Sequence, residues 1–317
     1  MEKKFRPIYK IILIFLTATF TCCNSESIYI EKKSIAFWGD SMTAGSGGWG
    51  TTIVETVKNE LHRPVFNGGV AGLSSNNIAC LQGGNRFIIK LSGNKIPKSG
   101  SVTLTDYNIV PYMHTTSQTR TGTVAGVKGT LTRVGNLANP FLASSFYFTN
   151  TQEGEEISVP SSGVQFNFDD AVNHRNDVTV IWAGRNDPKI DSEIPTTIGN
   201  IKSMIDYLEN KDTPFLVISV CNGSRQTEAL GTDIHANIIL LNSKLEATFG
   251  TNYIDLRKYM VEQALYDAKI KPSAEDLKDI SSDCIPSSLR YDNVHFNAKG
   301  YEVAGKFIAK VIRSKNW

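Results

Sequence analysis

Along this chain, short apolar runs that stop at glycines or polar turns alternate with longer segments whose apolar residues recur every three or four positions. Ser34 to Trp38 (SIAFW) is an apolar run ending at Gly39, which predicts a buried strand. Thr51 to Leu61 places Ile53, Val54, Val57 and Leu61 on one helical face. Pro64-Val65-Phe66 opens a second strand that ends in Asn67-Gly68-Gly69. The rhythm resumes at Asp177 with Val178 to Trp182 (VTVIW), a third strand. A helix follows, marked by Ile198, Ile201, Ile205 and Leu208. Phe215 to Val220 is a fourth strand, introduced by Pro214. Ile234, Ile238, Leu241 and Leu245 mark the next helix, Tyr253 to Leu256 a fifth strand, and Ala298 to Arg313 a closing helix with Val303, Phe307 and Val311 on one face. Strands alternating with helices predict an α/β fold: an open, doubly wound, five-stranded parallel sheet.

Residues 85–176 break the rhythm. The stretch is rich in Thr, Ser and Gly and lacks helical periodicity. Ser101 to Thr105, Thr121 to Thr132, Ser145 to Thr149 and Val164 to Phe168 instead alternate apolar and polar residues. About ninety residues are too many for a loop in a compact domain, so the stretch is expected to be a β-rich insertion. The α/β domain is then assembled from residues 34–84 and 177–317.

The N-terminus changes the picture of location. Met1 to Lys10 is basic, Ile11 to Phe20 is apolar, and Cys22-Cys23 then precede a polar stretch. The apolar run is about half the length that spans a bilayer. Residues 1–23 are therefore expected to be an export signal, sending the protein to the periplasm, the cell surface or the medium. A cysteine at the end of such a run resembles a bacterial lipoprotein signal. Lipidation of Cys22 or Cys23 would tether the protein to a membrane, and plain secretion is the alternative. The formal net charge of +2 resides in that basic start, and the remainder is near neutral, so no nucleic-acid partner is expected. With 41% hydrophobic and 20% charged residues, the composition is that of a globular protein rather than a disordered chain. Cys80, Cys221 and Cys284 are too widely spaced for a disulfide framework or a metal site, and buried thiols are expected.

Four short motifs fall at the ends of predicted strands, where open α/β sheets bind ligands. Gly39-Asp40-Ser41-Met42-Thr43-Ala44-Gly45 follows the first strand and would expose Ser41 on a tight turn. Asn67 to Gly72 (NGGVAG) follows the second, with glycines that allow close backbone approach. Gly184-Arg185-Asn186-Asp187 follows the third and offers the Asn186 amide, although Asn-Asp-Pro would also suit a simple Asx turn. Asp292-Asn293-Val294-His295 precedes the closing helix, where a carboxylate three residues from an imidazole can meet it on one turn. Asn297 is a candidate cap for that helix. Each motif alone is unspecific.

Taken as a set, in this order and placement, the four resemble those of the SGNH hydrolases, also called GDSL-like esterases, over residues 34 to about 80 and about 177 to 317. The resemblance implies a flavodoxin-like sheet and a Ser-His-Asp triad of Ser41 (nucleophile), His295 (base) and Asp292 (orienting acid). It also implies an oxyanion hole from the Ser41 and Gly72 N–H groups and the Asn186 side chain, with Gly184 shaping the turn that presents Asn186. Neither a cofactor nor a metal is implied. The insertion matches no part of that family; it would either wall the crevice or serve stability and self-association.

The expected activity is that of an exported serine ester hydrolase removing O-acetyl or other short acyl groups from a small-molecule or glycan ester. The alternatives are a lipid-directed esterase (a lysophospholipase or thioesterase) and a surface glycan-binding protein on a hydrolase scaffold. Other residues carry plainer expectations. His62, near a helix end, and His114, His174 and His235, which lack a carboxylate at useful spacing, should be surface or loop residues. Trp38 and Trp182 should be packing. Trp49 is a candidate wall of an acyl pocket. Arg185 and Arg290 should be solvated, with contact to an anionic substrate as the alternative.

Overall fold

The computed structural model describes residues 32–111, 117–135, 145–152 and 154–317. The expected export segment 1–23, with Cys22 and Cys23, and His114 lie outside the described residues. In chain order the strands are β1 (Ile35–Gly39), β2 (Val65–Gly69), β3 (Phe87–Leu91), β4 (Lys95–Ile96), β5 (Gly100–Tyr107), β6 (Gln118–Val124), β7 (Val127–Val134), β8 (Ser145–Asn150), β9 (Ile157–Ser158), β10 (Val164–Phe168), β11 (Val178–Trp182), β12 (Phe215–Ile218) and β13 (Tyr253–Ile254).

Five of them form one sheet in the order β13-β12-β11-β1-β2, with every neighbouring pair parallel. Parallel strands buried on both faces need apolar residues at every position, and all five residues of β1 and of β11 are buried. Successive side chains point to opposite faces. Ile35 and Phe37 accordingly enter a core shared with the helices Ile53–Leu61 and Ala298–Ser314, whereas Ala36 and Trp38 enter a second core with Ser75–Gln82, Ile194–Asp206 and Asp233–Phe249. The chain winds one way from β1 to β2 and the other way from β11 onward. The reversal lies at β1 and β11, which makes their carboxyl ends the site where such folds hold ligands.

The insertion is a closed six-stranded antiparallel barrel, in the order β10-β3-β5-β8-β7-β6. Inward residues such as Phe87, Ile89, Leu131, Phe148 and Phe166 fill it, as expected of a barrel this narrow. The same residues belong to the core under Ala36 and Trp38, so barrel and sheet share one apolar interior.

Local readings shift in a few places. Thr121 to Thr132 is not one strand: β6 and β7 form a hairpin through Ala125 and Gly126, both at positive φ (48° and 84°). Leu256 starts a helix (Leu256–Glu262) rather than extending β13. On the closing helix the buried stripe is centred on Tyr301, Ala304, Ile308 and Ile312, with Phe307 and Val311 at its margin. Cys80, Cys221 and Cys284 are free and buried. Burial pushes the Cys80 thiol up to about 12 and Cys284 up to about 11, which leaves them protonated and inert.

Candidate functional site

β1 stops at Gly39, and Asp40 caps the single helical turn Ser41–Ala44 by accepting from the Met42 N–H through Oδ1 (2.9 Å). This turn sets Ser41 at the carboxyl edge of the sheet. The imidazole that meets it comes from the other end of the chain. Asn297 caps the closing helix by accepting from the Gly300 N–H (2.9 Å), and its amide donates to the Ser288 carbonyl (2.9 Å). The loop before it is folded back by an isolated bridge between Arg290 and Phe296 and by the Tyr291 N–H donating to the His295 carbonyl (2.9 Å).

Within this loop Asp292 is held on three sides. Its Oδ1 accepts from the Val294 and His295 N–H groups (2.7 Å each), and its Oδ2 lies 2.8 Å from His295 Nδ1. His295 Nε2 lies 2.9 Å from Ser41 Oγ. An ionised carboxylate can only accept, so Nδ1 carries the proton and Nε2 is left to accept from the serine hydroxyl. Partial burial pushes the Asp292 carboxyl up, but the His295 ring and the two backbone donors outweigh it and hold it below the ordinary carboxylate range. The acid therefore stays ionised beside the base.

The other two motifs close around this chain of bonds. Gly69 has no room for a side chain, because a Cβ there would lie 2.3 Å from the Ala44 nitrogen. The second motif thus packs directly on the Ser41 turn, and the Val70 N–H donates to the Gly39 carbonyl (3.0 Å). Gly72 is exposed in the left-handed region (φ 80°). Asn186 Nδ2 donates to the carbonyl of the next residue, Leu73 (3.0 Å). That bond brings Asn186 and Gly72 to one place and uses one of the two amide hydrogens, leaving the other to donate elsewhere. Gly184, at φ 110°, makes the turn that presents Asn186. Ser41 is the first residue of its helical turn, where a backbone N–H has no acceptor within the helix.

Several residues that fix the site escape a reading of the sequence. Asp187 does not serve a local Asx turn. It is buried and accepts from the Ser75 N–H (2.8 Å), the Ser75 hydroxyl (2.5 Å) and the Thr197 hydroxyl (3.1 Å), which ties the third motif to the helix that follows the second. Lys189 Nζ donates to the carbonyls of Gly184 (3.0 Å), Asp187 (2.7 Å) and Arg185. Burial and the Arg185 charge push its amine down to about 8. Asp40 is the other unusual group. Only 1% of it is exposed, and its Oδ2 has no hydrogen-bond partner among the described residues. Burial raises it to about 6, against the pull of the Met42 amide and the charges of Arg185, His295 and Lys189.

The two arginines are neither solvated nor open to substrate. Arg185 makes a two-pronged pair with Glu228 (2.9 and 3.0 Å). Arg290 binds the fully buried Asp279 (3.1 Å) and donates to the carbonyls of Ile285 (2.9 Å) and Asp292 (3.1 Å). It therefore fixes the backbone beneath the Asp292–His295 loop. Arg290→Met is expected to lower kcat on p-nitrophenyl acetate by up to about 10²-fold, the scale of a small misplacement of reacting groups, with KM nearly constant. Steady-state kinetics check this, and an unchanged kcat would refute it.

Two histidines also depart from expectation. His174 Nδ1 meets Asp177 Oδ2 at 2.6 Å and its ring stacks on Phe66 at 4.0 Å. His235 is buried, with Nε2 2.8 Å from Asp283 Oδ2. Both do have carboxylate partners, and His235 lies on a helix rather than in a surface loop. Trp38 and Trp182 are buried, and Trp49 is 83% exposed.

No protein-family profile matches the sequence. The tail spike protein of Salmonella phage epsilon15 is 26% identical over 293 residues, covering 83% of this chain, and the chain spans only 26% of that protein's length. Among solved structures, a lipolytic protein of the G-D-S-L family from Veillonella parvula aligns over 88% of this chain and 98% of its own, at 12% identity and a TM-score of 0.46. A catalytic mutant of an acetylxylan esterase from Geobacillus stearothermophilus aligns over 88% and 94%, at 11% identity and a TM-score of 0.45.

Proposed function

We propose that this chain is an exported serine ester hydrolase of the SGNH (GDSL-like) type that removes O-acetyl or other short acyl groups from carbohydrate. The observation that carries the reading is the continuous bond chain from Ser41 Oγ to His295 Nε2 (2.9 Å) and from His295 Nδ1 to Asp292 Oδ2 (2.8 Å). A serine hydroxyl is a weak nucleophile until an adjacent base takes its proton. In the proposed mechanism Ser41 Oγ attacks the ester carbonyl carbon as His295 Nε2 accepts the hydroxyl proton. The ionised Asp292 stabilises the imidazolium that forms. The negative oxygen of the tetrahedral intermediate is met by the Ser41 and Gly72 N–H groups and the Asn186 amide, each such donor lowering the barrier by about 2.7–4 kcal/mol. The intermediate collapses, the C–O bond to the alcohol breaks, and His295 returns the proton to the departing oxygen. Water, deprotonated by His295, then attacks the acyl-serine. Carboxylic acid leaves and the Ser41 hydroxyl is restored.

The glycan reading draws on two further features. The basic and apolar N-terminus is that of an exported or tethered chain, which would meet extracellular polymer. The barrel also reaches toward the oxyanion loops: the Asn77 amide, on the helix just after Gly72, donates to the Val110 carbonyl at the barrel rim (2.6 Å). An ester on a bulky polymer needs an open rim of this kind more than an enclosed acyl tunnel.

Purified chain lacking residues 1–23 is expected to release acetate from at least one member of a panel of O-acetylated polysaccharides. Its kcat/KM on p-nitrophenyl esters should fall steeply from acetyl to octanoyl. A rise with acyl length would move the assignment to lipid esters. Retention of glycan with no hydrolysis of any ester would make the chain a binding module.

A further inference from the structure

Trp49 stands in the loop Gly45-Ser46-Gly47-Gly48-Trp49-Gly50, directly after the nucleophile turn. Although it is a large apolar residue, 83% of it is exposed, and its backbone sits in the left-handed region (φ 51°), where bulky residues are rare. The loop that holds it this way is anchored. The buried Tyr301 donates its hydroxyl to the Ser46 carbonyl (2.7 Å), the Ser46 N–H donates to the Ser41 carbonyl (3.0 Å), and the Gly48 N–H donates to the Gly45 carbonyl (3.0 Å). A fixed loop that keeps an indole in water, at a backbone cost, points to a use for the exposed ring.

A second aromatic completes the surface. Tyr291, 53% exposed, lies edge-on to Trp49 with ring centroids 5.8 Å apart and an interplanar angle of 82°. Its own ring is backed by Gly47, where a Cβ would come within 2.8 Å of ring carbons. Tyr291 immediately precedes Asp292, and its N–H is bonded to the His295 carbonyl (2.9 Å). One ring is thus carried by the serine's loop and the other by the histidine's loop. Past Gly50 the surface falls into a groove of about 510 Å³ lined by Thr51, Glu55, Asn59, Lys299 and Glu302. Lys299 and Lys306 both pair with Glu302 (2.9 and 2.5 Å), and Glu55 pairs with Lys58 (3.5 Å). The groove therefore offers hydrogen-bonding groups more than a net field.

We infer that Trp49 and Tyr291 form a sugar-stacking ledge that receives a pyranose ring of the acylated glycan and presents its ester to Ser41. The inference rests on the glycan-esterase reading above and deepens it. A pyranose has a flat C–H face that covers an aromatic ring and a rim of hydroxyls that needs polar neighbours. The ledge supplies the first and the groove beyond Gly50 the second. An acyl chain would instead need an enclosed apolar slot, which an indole this exposed does not provide.

The test is a selectivity ratio: kcat/KM for acetate release from an O-acetylated xylan or similar polymer, divided by kcat/KM for p-nitrophenyl acetate. Trp49→Ala is expected to lower this ratio about tenfold, the scale of one desolvated aromatic anchor, mainly through KM for the polymer. Trp49→Phe should restore part of it, and Tyr291→Ala should lower it in the same direction. If wild type cleaves the polymer and Trp49→Ala leaves the ratio unchanged, the ledge is overturned while the glycan-esterase reading stands. An equal loss on both substrates would likewise overturn it, since the loop would then act on the triad and not on sugar. If wild type cleaves p-nitrophenyl acetate but no acetylated glycan, the glycan reading fails and the ledge falls with it.

Discussion

Ser41→Ala is expected to lower kcat on p-nitrophenyl acetate by about 10⁶-fold, and the double variant Ser41→Ala/His295→Ala by scarcely more. The hydroxyl and the imidazole are 2.9 Å apart, and in the proposed mechanism they perform one step between them. Without the serine there is no proton for the base to take, and without the base the hydroxyl stays unreactive, so the second deletion removes little that the first left. Asp292→Asn should cost less, about 10⁴-fold. An amide at that position donates to His295 Nδ1, which shifts the ring proton to Nε2 and turns the base away from its task. Ser41 is only 8% exposed and its side chain is small, so alanine fits without disturbing β1 or the Asp40 cap. Circular dichroism and thermal melting would confirm that fold. Single-turnover assays on wild type, Ser41→Ala, His295→Ala, the double variant and Asp292→Asn then decide the matter. Additive losses from Ser41 and His295 would mean that they do not act together, and the esterase mechanism would be abandoned.

Much of the catalytic chain was readable because its crucial spacing is local. Asp292 and His295 are three residues apart, and such a pair can meet on one turn whatever the rest of the chain does. Ser41 is 254 residues from His295 in sequence, and nothing local joins them. Their meeting follows from the fold: Ser41 directly follows β1, and His295 stands in the loop that leads into the closing helix Ala298–Ser314 packed on the same sheet. Asp187 had no such help. Its partners Ser75 and Thr197 come from two other helices, whereas the local Asn-Asp-Pro sequence pointed only to the turn at 184–187, which is present. Arg185 and Arg290 were expected in solvent for the same reason: Glu228 is 43 residues from one, and Asp279 is 11 residues from the other, across a turn and a loop.

Other departures had signals that went unused or were misleading. His174 and Asp177 stand three apart, the catalytic spacing in reverse, and they do pair. The hairpin between β6 and β7 turns on Ala125-Gly126, not on the Asn-Gly or Asp-Gly that usually marks such a turn. Alanine at positive φ gave no warning, and the alternation ran through the turn unbroken. Closure of the barrel depends on β10 pairing with both β3 and β6, a long-range choice that alternation alone cannot specify.

Asp40 is a buried acid with no partner for one oxygen among the described residues, and Asp40→Asn is expected to change how stability depends on pH. Its folded value of about 6 lies above its ordinary value of 3.8, chiefly because burial penalises the charge. Between those values the native chain binds more proton than the unfolded one, so wild-type stability falls as pH rises from about 4 to about 6 and stays lower above it. The whole difference corresponds to about 3 kcal/mol. Asparagine keeps the oxygen that accepts from the Met42 N–H and carries no charge. Urea denaturation at pH 4 and at pH 7 should therefore show the stability of the variant relative to wild type improving by up to about 3 kcal/mol across that interval. A difference that is the same at both pH values would sink the prediction. Asp40 is within electrostatic reach of His295, so in the proposed mechanism its charge would offset the positive charge that develops on the ring as Ser41 attacks. A variant that is more stable at pH 7 yet turns over more slowly would mark the buried carboxylate as stability given up for transition-state charge, whereas full kcat in that variant would leave the burial of this acid without a catalytic reason.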